Sequence, residues 1–186
     1  SKARVYMQLV QSNRLFECHH FRKQYTVAGV TINTPKCANN CFGSHMLHDV
    51  QMSRLKPKVD FEILSHPQVL FEFEFGKLDS LKLNDCKRLR IPLLRHFTEP
   101  MLIFSWWELD MDYEGEIVLS CAPYWARGVE DETKVAWRDH WMQTIYYLPA
   151  FAFVNDDLDG FNRQQINEAK SVLIDAFHDP FSFWFD

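Results

Sequence analysis

Seven residues, Trp137-Arg138-Asp139-His140-Trp141-Met142-Gln143, gather an acid, an imidazole and two indoles where a loop runs into the extended stretch Thr144 to Leu148. Histidine is the side chain whose ordinary pKa lies nearest neutrality, so next to an acid it suits proton handling or the pairing of a charged partner. A neighbouring indole face suits stacking on a flat guanidinium cation. An isolated His is more often a structural group, so composition alone does not make this stretch a site.

Three other groupings compete for chemistry. Cys37, Cys41, His45 and His48 hold enough ligands to close a tetrahedral zinc site. The two histidines follow the cysteines at once, however, rather than after the roughly 12 intervening residues of a zinc finger. Cys18, His19 and His20 add ligands in name only, because adjacent side chains of an extended chain point to opposite faces. A polar arm with incidental Cys and His is the favoured reading, with a zinc-binding module at Cys37 to His48 as the alternative. Asp110, Asp112 and Glu114 before Gly115 imitate the opening of a calcium loop, but Cys121 stands where the closing bidentate Glu is needed, so a solvated hairpin turn accounts for them better. Glu72 and Glu74 alternate with phenylalanines, which places them on a wet strand face rather than in a catalytic pair.

The six glycines, at 29, 43, 76, 115, 128 and 160, lie too far apart for a phosphate or dinucleotide loop. A nucleotide-like cofactor would have to be bound by another part of the protein. The net charge of -5 without a basic stripe argues against direct nucleic-acid binding. No stretch reaches the roughly 18 uninterrupted apolar residues of a membrane helix. Five cysteines, an odd number in a 186-residue chain able to build its own core, point to a reducing intracellular setting. The chain opens on Ser1 and enters a strand-like run at once, the expected look of a piece of a longer protein.

The elements that must position these residues read as strands. Val69 to Phe75 alternates phenylalanine with glutamate, and Met101 to Asp112 alternates over a longer span. Gly115 breaks the second run before Glu116 to Cys121 resumes it, which predicts a hairpin. Arg4 to Val10, Trp141 to Leu148, Val172 to Phe177 and Phe181 to Phe185 complete an antiparallel set, the last two separated by His178-Asp179-Pro180. Without β-helix-β alternation this predicts a mainly all-β fold, an antiparallel barrel or sandwich. Asn162 to Lys170 is the helical candidate, a short surface excursion. Residues 12–48 are poorly periodic and read as a long irregular insertion.

The stretch Asp139-His140-Trp141-Met142-Gln143-Thr144-Ile145-Tyr146-Tyr147-Leu148-Pro149 resembles the Thr-His-Trp loop and following strand of protein arginine methyltransferases, with Asp139 in place of the Thr. Ala3 to Val10, Ser105 to Gly115 and Ala122-Pro123-Tyr124-Trp125 agree in order, and the Asp139 variant is similar to the branch built from two tandem modules. The resemblance covers nearly the whole chain and is specific from Ser105 to Pro149. It implies that residues 1–186 form the β-barrel half of an arginine methyltransferase module, with an arm-like segment over about 12–48. The S-adenosylmethionine-binding, Rossmann-like domain would lie outside this chain, and the fragment alone would be inactive. It further implies His140 as the catalytic residue, pairing with an acid of the other domain, and Trp141 with Asp139 on the substrate arginine. Expected partners are the Rossmann-like domain, the second module and protein substrates such as histones, the expected product is monomethylarginine, and the expected location is cytoplasmic and nuclear. Against this stands a free-standing β-sandwich that holds a peptide or carbohydrate on exposed aromatics such as Trp125, Trp137 and Trp141.

Overall fold

A computed structural model describes residues 1–12, 24–27, 30–33, 47–52, 55–77, 79, 81–97, 101–129, 141–147 and 170–185. Its organising strand is β1 (Lys2–Ser12), which pairs antiparallel with β8 (Met101–Asp110) from Lys2 opposite Asp110 to Gln11 opposite Met101. On its other edge β1 takes first β6 (Gln68–Glu74), with a register shift between Val5 and Tyr6, and then β5 (Phe61–Ile63). One long strand thus serves three neighbours, and the shift lets it bend as the partner changes.

The outer edge of β8 carries β10 (Gln143–Tyr147) at one end and β9 (Val118–Ser120) at the other, and β4 (Leu47–Val50) borders β10. A second sheet holds β12 (Phe183–Phe185), β11 (Ser171–His178) and β7 (Asp85–Pro92) in that order. The two sheets meet at both flanks. The Tyr146 hydroxyl donates to the Phe185 carbonyl at 3.0 Å, and Lys87 Nζ donates to the Val69 carbonyl at 3.1 Å. Beside the second contact, His178 receives Phe71 and Phe73 edge to face, at 4.6 and 5.2 Å. Every pairing between the described strands is antiparallel, so the all-β expectation is met by a curled sheet closed with a smaller one.

Most expected strands form close to their expected bounds, and the differences have physical causes. The alternation read in β8 does not become one dry and one wet face, because Met101 to Trp106 are buried without a break. Phe61 and Trp125 close over Phe104 on one side, with ring centroids 4.9 and 6.4 Å away, while Met101, Ile103 and Ser105 of the opposite parity are equally buried. Strand β7 carries no apolar signal in its first half. It survives because Leu89 and Ile91 turn inward while Arg88 pairs with Asp175 across the ladder. The expected strand at Trp141 starts two residues later, at Gln143, so that Trp141 occupies the bend before it.

The insertion over 12–48, expected to be irregular, contains a hairpin of β2 (Gln24–Val27) and β3 (Val30–Asn33), and its end enters β4. Thr26, Val27, Val30, Thr31 and Ile32 around Gly29 are a β-branched signal that the segment's polar surroundings obscure. The remainder of that insertion lies outside the described residues, as do residues 162–169 of the helical candidate.

Candidate functional site

Trp141 is the part of the His-Trp stretch that the described residues contain, while Asp139 and His140 lie outside them. Its half-buried indole packs against that of Trp107 on β8, centroids 5.0 Å apart and planes at 51°. A tilted contact of this kind is a preferred arrangement of aromatic quadrupoles and adds to the area the rings bury. Trp107 in turn is clamped by Cys121, just past β9. The Cys121 backbone N–H donates to the Trp107 carbonyl at 3.2 Å, the thiol lies 3.3 Å from the same oxygen, and the Trp107 N–H donates to Sγ at 3.3 Å. Burial pushes the Cys121 thiol up, which favours the protonated form that can donate to the Trp107 carbonyl.

The next residue along from the bend but one, Gln143, opens β10 and is 2 % exposed. Its Oε1 accepts from the Met52 N–H at 2.9 Å, and its Nε2 donates to the Cys121 carbonyl at 2.8 Å and the Trp141 carbonyl at 3.3 Å. One buried carboxamide therefore ties three chain segments together. The sequence places Gln143 at the end of the His-Trp stretch, where it enters the strand, but gives it no role; the clue is a polar side chain at the mouth of a largely apolar strand.

A second buried amide lies on β1. Trp125 Nε1 donates to Gln8 Oε1 at 3.1 Å, Gln8 Nε2 donates to the Ser65 carbonyl at 2.9 Å, and the Ser65 hydroxyl accepts from the Leu9 N–H at 2.9 Å. Trp125 sits in a single 3-10 turn, Tyr124–Arg127, entered through Pro123 and ended by Gly128 at φ 68°. This packs a partly buried Trp125 against Phe61 of the core, rather than on an exposed binding face. Between β8 and β10, by contrast, the opposed Ser105 and Thr144 have buried hydroxyl oxygens with no hydrogen-bond partner among the described residues.

The competing groupings resolve differently. Asp110 accepts from both terminal guanidinium nitrogens of Arg4, at 3.1 and 2.9 Å, which ties β8 to β1, and Ile117 N donates to Asp112 across the Gly115 turn at 3.1 Å, so the one acid serves the β1–β8 pairing and the other the β8–β9 hairpin. Glu72 lies on the wet face as expected, paired with Lys2 and Arg4, and Lys2 first, then Arg4, holds its carboxyl below the usual range. Cys37, Cys41 and His45, like Cys18, His19 and His20, lie outside the described residues, and nothing is described of the side chain of His48. Among the described residues no three His, Cys, Asp or Glu side chains group as metal ligands.

With this geometry in hand, comparison with known proteins decides the family. The arginine methyltransferase oligomerization subdomain matches residues 1–161 of the 186. The chain belongs to that family. Similar curated proteins include those named protein arginine N-methyltransferase 7 of Drosophila willistoni, 32% identical over 198 residues, and of Aedes aegypti, 36% identical over 171. The Drosophila melanogaster protein of the same name is 32% identical over 199 residues. These alignments take in 100%, 84% and 100% of this chain but 27%, 23% and 27% of the relatives, so the chain spans about a quarter of their length. The β-barrel of an arginine methyltransferase, expected from the loop and its flanks, is thus the identity that the fold and the family share.

The described residues do not fit a site for S-adenosylmethionine. They contain no α-helix whose N-terminus could receive its carboxylate, and the glycines among them, Gly76, Gly115 and Gly128, each stand alone at a turn.

Proposed function

We propose that this chain is the substrate-side barrel of the first module of a tandem protein arginine methyltransferase. In this reading a separate Rossmann-like domain binds S-adenosylmethionine, and the whole protein transfers one methyl group to arginines of proteins such as histones in cytoplasm and nucleus. The observation that carries the reading is the seat of Trp141, at the start of a strand, with its indole backed by Trp107 and its carbonyl held by Gln143. A rigid indole at a barrel edge is what stacking on a planar cation requires, because alignment of the reacting groups supplies much of the rate in a displacement reaction.

His140 precedes it and acts as the catalytic residue through an acid of the other domain, and Asp139 borders the substrate arginine. The arm over 12–48 packs against the second module. Methyl transfer to a histone peptide by the full-length protein tests this. Trp141→Ala and His140→Ala should each lower kcat by about tenfold to a hundredfold while S-adenosylmethionine still binds. Undiminished transfer by both variants, or methyl transfer by residues 1–186 alone, overturns the assignment.

A further inference from the structure

Trp141 is supported at two points, and both supports end on one residue. Its indole rests on Trp107, whose backbone is gripped by the Cys121 N–H and thiol. Its carbonyl is held by Gln143 Nε2, whose second hydrogen goes to the Cys121 carbonyl. Indole, Trp107, Cys121, Gln143 and the Trp141 backbone thus form a closed circuit, and Met52 N–H, donating to Gln143 Oε1, fixes which way the carboxamide faces. We propose that Gln143 is the positioning residue of the substrate loop, setting where the Trp141 indole stands when a substrate arginine enters.

The chemistry of the group restricts what can replace it. A primary carboxamide donates twice at one end and accepts through two lone pairs at the other, and here both donors and one lone pair are used. At 2 % exposure the side chain has no water to fall back on, so any replacement leaves a backbone group of Met52, Cys121 or Trp141 unpaired. Glutamate keeps the shape and the acceptor for Met52 but, when ionised, donates nothing. Asparagine keeps the amide but is one methylene short of spanning the three segments. Releasing the Trp141 carbonyl lets the bend at 141 relax, and displacement of about 1 Å at a substrate-orienting group can cost a hundredfold in rate.

This inference rests on the substrate-stacking role given above to Trp141, and the test separates the two. Full-length protein carrying Gln143→Glu, Gln143→Asn or Trp141→Ala is assayed on an arginine peptide, with kcat normalised to enzyme counted by S-adenosylmethionine binding. The circular dichroism of the coupled Trp107 and Trp141 indoles is recorded beside it. Gln143→Glu should lower normalised kcat about tenfold or more at pH 8 and weaken the indole signal. Its activity relative to the unsubstituted protein should recover as acidification restores a proton the carboxyl can donate.

Gln143→Asn should lose rate and indole coupling without that pH recovery, and it keeps the test decisive if the buried glutamate prevents folding. A residue that merely stabilised the fold would lower the melting temperature and leave normalised kcat and the indole signal unchanged. That result, alongside an inactive Trp141→Ala, overturns the positioning role alone. Full activity of Trp141→Ala overturns the underlying reading and this inference with it.

Discussion

The Trp107 and Trp141 rings, 34 residues apart in sequence, meet with centroids 5.0 Å apart across the edge between β8 and the bend before β10. Trp107 belongs to the strand that spans the sheet, so the loop inherits the rigidity of the fold's central pairing. Trp107→Ala should therefore lower methyl transfer by the full-length protein, whereas Trp107→Phe, which keeps an aromatic face, should retain most of it. Peptide kinetics of the two variants decide this, and equal activities would show that Trp141 does not depend on that face.

Thr144 and Ser105 oppose each other on β10 and β8 with buried hydroxyls that have no partner among the described residues. A buried hydroxyl without a partner costs about 1–3 kcal/mol relative to a satisfied one, while an apolar group of the same shape avoids that cost. Thr144→Val should raise stability by up to about 1 kcal/mol in urea titration. A loss of stability there would mean that the hydroxyl is bonded in solution.

Phe104 is fully buried between Phe61 and Trp125. Replacing a buried Phe by Ala removes its transfer free energy and leaves a cavity, together about 3–5 kcal/mol. Chemical denaturation of Phe104→Ala should show a loss of that size.

Arg4 and Asp110, diagonal neighbours at one end of the β1–β8 pairing, are joined by a bidentate bond, with Asp110 only 13% exposed. Glu72, on the other side of Arg4, is 46% exposed. Arg4→Ala strands the shielded carboxylate and should cost about 1–3 kcal/mol, against less than about 1 kcal/mol for Glu72→Ala. Urea midpoints of the two variants give the comparison, and a larger loss at Glu72 would reverse this ranking.

Acid should loosen the β11–β12 turn. The Phe181 and Ser182 backbone N–H groups, both 2.7 Å from one Asp179 carboxylate oxygen, hold that group below its ordinary value of 3.8. A depressed folded-state pKa means that this stabilisation is present above pH 3.8 and is lost as pH falls through the lower folded value. Thermal melts at high salt, which screens the exposed Arg88–Asp175 pair, should show the midpoint falling below about pH 4 and a shallower fall in Asp179→Asn. Identical slopes would assign the acid sensitivity to other carboxylates.

Local pattern was enough to read the strands whose side chains alternate, such as β6, and the hairpin turned at Gly115, because period two and positive φ are local properties of the chain. It also determined the family resemblance, carried by contiguous residues from Ser105 to Pro149. Strand β7 was illegible because an edge strand rich in Lys and Arg has too few apolar positions to show a period. Only tertiary structure decided that β1 takes both β6 and β8, that β8 is buried on two faces, and that Gln143, Cys121 and Trp107 brace Trp141. Those relations depend on which segments meet across 14 to more than 100 residues of chain, and a buried amide takes its partners from backbone groups whose positions no local pattern encodes.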